Sequence, residues 1–121
     1  MKTVNVTELE GAALDWATGV SLGHKVHNSN NVGGLSISEP YSKHDRFIWS
    51  PSTDWSQCGP VISSEYIDVW HSLLGTEHDV VWCAQAPCGR IYRAPTPLIA
   101  ACRAIVAAKV GDTVDVPEEL L

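Results

Sequence analysis

The chain has no long hydrophobic run, little positive charge and no glycine-rich phosphate loop, and each shortage removes a class of function. Its longest apolar stretch, Leu98 to Val110, is interrupted by Arg103 and Lys109 and is too short to span a bilayer. No basic segment followed by an apolar one stands at the start. These absences predict a soluble, cytoplasmic protein with no membrane partner. Lys and Arg number 8 against 14 Asp and Glu, for a net charge of −6. The cations are scattered singly, as at Lys25, Lys43, Arg46, Arg90, Arg93, Arg103 and Lys109. A surface that neutralises backbone phosphates needs a basic face, so direct duplex binding is not expected. Gly33-Gly34 lacks the preceding strand and following helix of a phosphate cradle, and no cofactor is expected.

Cysteine is also too scarce for a disulfide scaffold. The four residues Cys58, Cys83, Cys88 and Cys102 are expected to be free thiols in a reducing compartment, with Cys102 a small core residue on an apolar helix. His71, His78, Cys83 and Cys88 form a candidate zinc set of borderline-soft ligands. Their cysteines are spaced more widely than in the usual knuckle, and Pro87 and Gly89 equally suit a hairpin turn. Cys58 with His44 is the candidate pair for a thiol enzyme, but no thiol-hydrolase signature surrounds Cys58. Asp54 has only Glu65 and Asp68 as nearby carboxylates. No nucleophile, base and orienting group can be named together, so a non-enzymatic role is expected and a small metal-dependent or thiol enzyme is the weaker alternative.

What is present suits one compact domain of 121 residues, 45% of them hydrophobic. Lys2 to Val6 alternates like a short strand. Thr7 and Glu10 form a capping box, predicting a helix from Glu8 to Gly19 that buries Leu9, Ala13, Trp16 and Val20. Residues 21–45 are polar and turn-rich and predict a flexible loop, with a short strand at Leu35 to Ile37. Arg46 to Trp49 and Asp79 to Ala84 read as strands, the latter turning through Pro87-Cys88-Gly89 into Arg90 to Arg93. Tyr66 to Leu74 fits helix or strand. Thr96 as N-cap, Pro97 at the first helical position and Gly111 past the end define a C-terminal helix. That helix is apolar over most of its circumference. It is either the central core helix or half of a homodimer interface through Pro97 to Val110. The fold class is α+β: a small, mainly antiparallel sheet packed with two main helices.

The densest concentration of chemistry is Ser50-Pro51-Ser52-Thr53-Asp54-Trp55-Ser56-Gln57-Cys58-Gly59-Pro60. Pro51, Gly59 and Pro60 are expected to hold it out of regular structure. Ser52, Thr53, Asp54, Trp55, Gln57 and Gly59 are the candidate ligand-binding residues. The indole offers a stacking face, and the carboxylate and carboxamide can read the donor and acceptor edges of a flat heterocycle. The alternative is structural: the short polar side chains cap nearby backbone and Trp55 fills the core.

Three segments resemble the NinX family of lambdoid and related phages and prophages. They are Leu9-Glu10-Gly11-Ala12-Ala13-Leu14-Asp15-Trp16-Ala17, the Ser50 to Ile62 segment, and Thr96-Pro97-Leu98-Ile99-Ala100-Ala101-Cys102-Arg103 continuing through Gly111-Asp112-Thr113-Val114-Asp115-Val116-Pro117. The chain departs from the family pattern at Cys58, where the first of two glycines is usual, and at Cys102, where Met is usual. The resemblance implies a single NinX-like domain and an accessory protein of a phage or prophage, working in the cytoplasm of the bacterial host. It hands over no catalytic residue. The expected partner is a host protein or a small molecule, with sequestration of a nucleotide-like host signal and a homodimeric interaction module as alternatives.

Overall fold

The C-terminal helix lies at the centre of the structure because it is both small-sided and apolar. The computed structural model describes residues 1–29, 34–38, 46–73, 80–87 and 89–121. Among them are three α-helices: α1 (Gly11–Ser21), α2 (Trp55–Ser64) and α3 (Pro97–Val110). Ala100, Ala101, Cys102, Ala104, Ile105 and Val106 of α3 are all buried, and their short side chains let α1 and a sheet close on it from different sides. Most of the apolar circumference of α3 is therefore covered within the chain, as a central core helix requires, while Val110 in its last turn is 46% exposed. Thr96 caps it, its Oγ1 accepting from the Ile99 N–H at 3.2 Å, and Gly111 ends it.

Eight strands make three small antiparallel sheets among the described residues. The first joins the two ends of the chain, β1 (Lys2–Asn5) against β8 (Thr113–Val116), with Lys2 opposite Val116. The second is a meander of β2 (Val26–Ser29), β3 (Gly34–Ser38) and β4 (Arg46–Ile48). The third is a meander of β5 (Asp68–Leu73), β6 (Val80–Gln85) and β7 (Ile91–Ala94), which packs on α3. The α+β class stands, with one helix more than the two predicted. The predicted β6–β7 hairpin is present, with Trp82 opposite Ala94, and the ambiguous stretch from Tyr66 is strand over Asp68–Leu73.

Four expectations need correction. The predicted capping box at Thr7 is not used. Val6–Glu8 is instead a single 3-10 turn, Leu9 is extended, and α1 starts at Gly11 after an Glu10 N-cap that makes no side-chain bond. The cause lies in residues distant along the chain: Leu9 is buried and its carbonyl accepts from Arg103 Nε at 2.9 Å. Gly11, at φ 58°, then makes the turn back into helix that a side chain would strain. The buried face of α1 is also wider than predicted and shifted at its end. Leu9 and Ala13 are buried as expected and Trp16 partly so, but Leu14, Asp15, Ala17 and Thr18 are inside as well, whereas Val20 is 42% exposed.

Within the run predicted to be a loop, β2 and β3 pair along Val26 to Ser29 and Gly34 to Ser38. Leu35 and Ile37 gain burial there against Trp49, Trp16 and Leu22, which a reading of local polarity does not register. Residues 30–33 and 39–45 lie outside the described residues.

The Ser50 to Pro60 segment is only half irregular, since α2 begins at Trp55. Asp54 supplies its N-cap. Pro60 falls inside the helix at an exposed position, and the carbonyl whose donor it removes belongs to Ser56, itself exposed. At the far end Tyr66 takes φ 55°, while the Ile67 N–H reaches back to the Ile62 carbonyl at 2.9 Å. This is the closing turn usually given to glycine.

Candidate functional site

The segment from Ile48 to Gly59 is built on α1. Trp49 is buried and its indole N–H donates to the Asp15 carbonyl at 2.8 Å. Three residues on, the Ser52 N–H donates to Asp15 Oδ1 at 2.8 Å. One residue of α1 thus holds both ends of Trp49 to Ser52. Gln57 reaches back from α2 and grips the same strip from the other side. Its Oε1 accepts from the Ser50 N–H at 2.7 Å and its Nε2 donates to the Ile48 carbonyl at 2.6 Å. A carboxamide used this way replaces a missing strand partner, since it offers one donor and one acceptor in a plane.

Asp54 Oδ1 accepts from the backbone N–H of Ser56 at 2.9 Å and from its hydroxyl at 2.6 Å. These bonds hold its carboxyl below the ordinary carboxylate range. Thr53 Oγ1 donates to the Ser50 carbonyl at 3.3 Å. Ser52, Asp54 and Gln57 therefore spend polar atoms on the protein itself. Trp55 does not fill the core. It is 57% exposed at the first position of α2, and Ile48, 55% exposed, belongs to the strip that Gln57 holds. Gly59, one helical turn beyond Trp55, has open space where a side chain would stand. The six sequence candidates are thus contiguous, but divide into three that build the corner and three, Thr53, Trp55 and Gly59, beside open surface.

Beneath this corner lies a buried polar and sulfur cluster that the sequence reading did not assemble. Burial pushes the Asp15 carboxyl up, against the opposing effect of its bonds to Ser52. Cys58, the one buried residue of α2, places its sulfur 3.9 Å from that of Cys102 in the middle of α3. Asp15 was legible only as a carboxylate beside Leu14 and Trp16, and its partners come from residues far along the chain.

The candidate metal ligands do not converge in the same way. His71 lies opposite Trp82 across β5 and β6, so Cys83, next to Trp82, points to the other face of that sheet. His71 is exposed and packs edge-on to Trp82 with ring centres 5.4 Å apart, whereas Cys83 is buried. His78 and Cys88, and His44 of the candidate thiol pair, lie outside the described residues. Among the described residues no three His, Cys, Asp or Glu side chains gather as a metal would require. Glu65 caps the opposite end of α2 from Asp54 and pairs with Lys109 at 3.0 Å, and Asp68 opens β5.

Surface clefts of about 310–390 Å³ lie around Tyr92 and Asp112, around Tyr66 and Ile67, and around Glu10 and Leu121 among the described residues. None of the three is lined by Ser50 to Pro60. No described helix is long and apolar enough to cross a membrane.

No curated protein matches the chain. A family model described as Bacteriophage P22, NinX matches residues 5–109, a span that takes in α1, the Trp49 to Gly59 corner and nearly all of α3. The chain belongs to the phage NinX family.

Proposed function

We propose that this phage accessory protein acts by binding a protein of the infected bacterium, with the exposed indole of Trp55 as the anchor and Ile48, Thr53 and Gly59 around it. The observation that supports the reading is a large apolar side chain left in water at the start of a helix whose approach is held on both sides by hydrogen bonds. Tryptophan on a rigid support loses little conformational freedom on binding and buries much area, which is why it recurs at the energetic centres of interfaces. On this reading Ser52, Asp54 and Gln57 position the anchor rather than touch the partner. The surface form of the site favours a protein face over a small heterocycle, which needs an enclosing pocket. The net charge of −6 favours a partner with a basic rim.

The test is affinity capture from host lysate with the wild-type chain, Trp55→Ala and Tyr66→Ala, the last removing an exposed aromatic elsewhere. One host protein in stoichiometric amount should be held by the wild type and by Tyr66→Ala and lost by Trp55→Ala, with Tm changed by less than about 2 °C. Equal retention by Trp55→Ala would remove Trp55 from the interface. A nucleotide-sized mass carried by the purified protein in native mass spectrometry, and lost on denaturation, would overturn the protein-partner reading in favour of sequestration.

A further inference from the structure

We propose that Cys58 and Cys102 form a redox-sensitive latch, in which two-electron oxidation by a peroxide joins α2 covalently to α3. The inference rests on placement and is independent of what α2 binds. Both thiols are free and their sulfurs are 3.9 Å apart in the core. A disulfide bond of about 2.05 Å needs an approach of roughly 1.9 Å from that starting point. The element that can supply it is α2. Cys58 is the only one of its ten residues that is fully buried, with Val61 and Ile62 partly buried against the core, so α2 is the less deeply seated of the two helices. Cys102, by contrast, is flanked on α3 by Ala100, Ala101, Ala104 and Ile105, all within the main core.

The two thiols are also unequal in the way the reaction requires. A hydrogen bond from the Cys102 thiol lowers the Cys58 pKa, against burial and the nearby Asp15 carboxylate. The same contact, with burial and charge, pushes Cys102 well up. Cys58 also lies in the first turn of α2, where the helix dipole favours a thiolate. It is the first to react, when local opening of so shallowly held a helix admits a molecule as small as peroxide. The Cys58 thiolate attacks one peroxide oxygen, the O–O bond breaks, and hydroxide leaves with the proton that Cys58 gave up. Cys58 is then a sulfenic acid. The Cys102 sulfur attacks the Cys58 sulfur, the S–S bond forms and the S–O bond breaks. The departing hydroxide takes the Cys102 proton and leaves as water. Overall the protein loses two electrons and two protons, and the peroxide becomes two waters.

The experiment uses the full chain carrying Cys83→Ala and Cys88→Ala, so that only the pair can react, with the wild type in parallel. Native protein is treated with hydrogen peroxide, quenched and analysed by thiol titration under denaturing conditions, intact mass, peptide mapping and thermal melting. Expected are loss of both thiols with loss of two hydrogens, a Cys58–Cys102 cross-linked peptide in both proteins, and a Tm higher by about 5 °C or more that dithiothreitol reverses. Persistent free thiols, a sulfinic or sulfonic product at Cys58, a covalent dimer, or a cross-link that leaves Tm unchanged would each overturn the latch. In Cys58→Ser the remaining Cys102 should resist peroxide. Oxidation of that thiol at the wild-type rate would overturn the assigned order of attack.

Discussion

Cys58 touches Cys102, sulfur to sulfur at 3.9 Å, so the packing of α2 on α3 passes through one pair of medium-sized side chains. A glycine facing a methionine would fill the same contact with one small and one large residue in place of two of intermediate size. Large-plus-small and medium-plus-medium fill a similar volume, and cores tolerate exchanges that conserve the total.

The pair should therefore behave as one unit in a double-mutant cycle. Cys102→Met alone overfills the contact and is expected to cost about 1–3 kcal/mol. Cys58→Gly alone leaves a void and loosens the helix, at about 1–2 kcal/mol. The double variant should be more stable than the sum of the two by at least about 1 kcal/mol in urea unfolding. Simple additivity would mean that the two sites do not share their packing space.

Asp15 gives a pH signature. Its carboxyl is raised above the ordinary 3.8 by burial, so the folded protein holds that proton more tightly than the unfolded chain. Its favourable contribution is complete below the unfolded pKa and is lost as pH rises through the folded one. Asp15→Asn keeps an acceptor for the Ser52 N–H and removes the charge. Its stability relative to wild type should therefore improve as pH rises from about 3.5 toward 7. Asp15→Ala leaves the buried Ser52 N–H unpaired and should cost about 1–3 kcal/mol at all these pH values. Thermal melts of the three proteins from acid to neutral pH check both signs.

The division of labour in the Ser50 to Pro60 corner can be separated by stability alone. Gln57→Ala removes two backbone contacts, to Ser50 and Ile48, and is expected to cost about 1–2 kcal/mol. Trp55→Ala removes a side chain that is already largely in water and should change stability by less than about 0.5 kcal/mol. A large loss in Trp55→Ala, measured by denaturant unfolding, would return that residue to a packing role.

Gly19 marks the closest approach in the smaller core. A methyl group there would stand 2.5 Å from Val26 Cγ2 and 2.7 Å from the Trp49 indole nitrogen, the group that bonds the Asp15 carbonyl. Alanine improves helix propensity by about 1 kcal/mol, yet Gly19→Ala should still destabilise by about 1–3 kcal/mol because Trp49 must move. Loss of the Trp49 indole N–H protection in hydrogen exchange would confirm the cause.

Tyr66 is the opposite case. It is 79% exposed and holds φ 55° without packing that would compensate. Tyr66→Gly should raise stability by about 0.5–1 kcal/mol in the same unfolding assay, by relieving the left-handed turn. Destabilisation would show that the exposed ring makes contacts worth more than the strain.

Local signals predicted local structure well. Thr96, Pro97 and Gly111 punctuate α3 as their backbone chemistry demands, and Trp82 and Ala94 pair where alternation and a turn place them. The failures have long-range causes. Arg103 takes the Leu9 carbonyl across 94 residues, and that bond defeats a capping box that is sound on local grounds. Asp54 was legible as a cap of nearby backbone but not as the start of a helix, because Pro60 argued against a helix behind it. In the candidate site the residues were legible and their duties were not. A carboxamide that reads a ligand and one that holds Ser50 and Ile48 are the same in a sequence.

The pairing of β1 with β8 also bears on how the protein is made. A ribosome delivers Val116 more than a hundred residues after Lys2, so the first strand must wait unpaired while all the intervening chain is made. The helix on which α1 and the β5–β7 sheet rest emerges nearly as late. Contacts this distant along the chain make closure slow relative to local structure. The main core of the nascent chain is thus completed late, and a ribosome-stalled product ending before Pro97 should leave β1 and α1 open to protease.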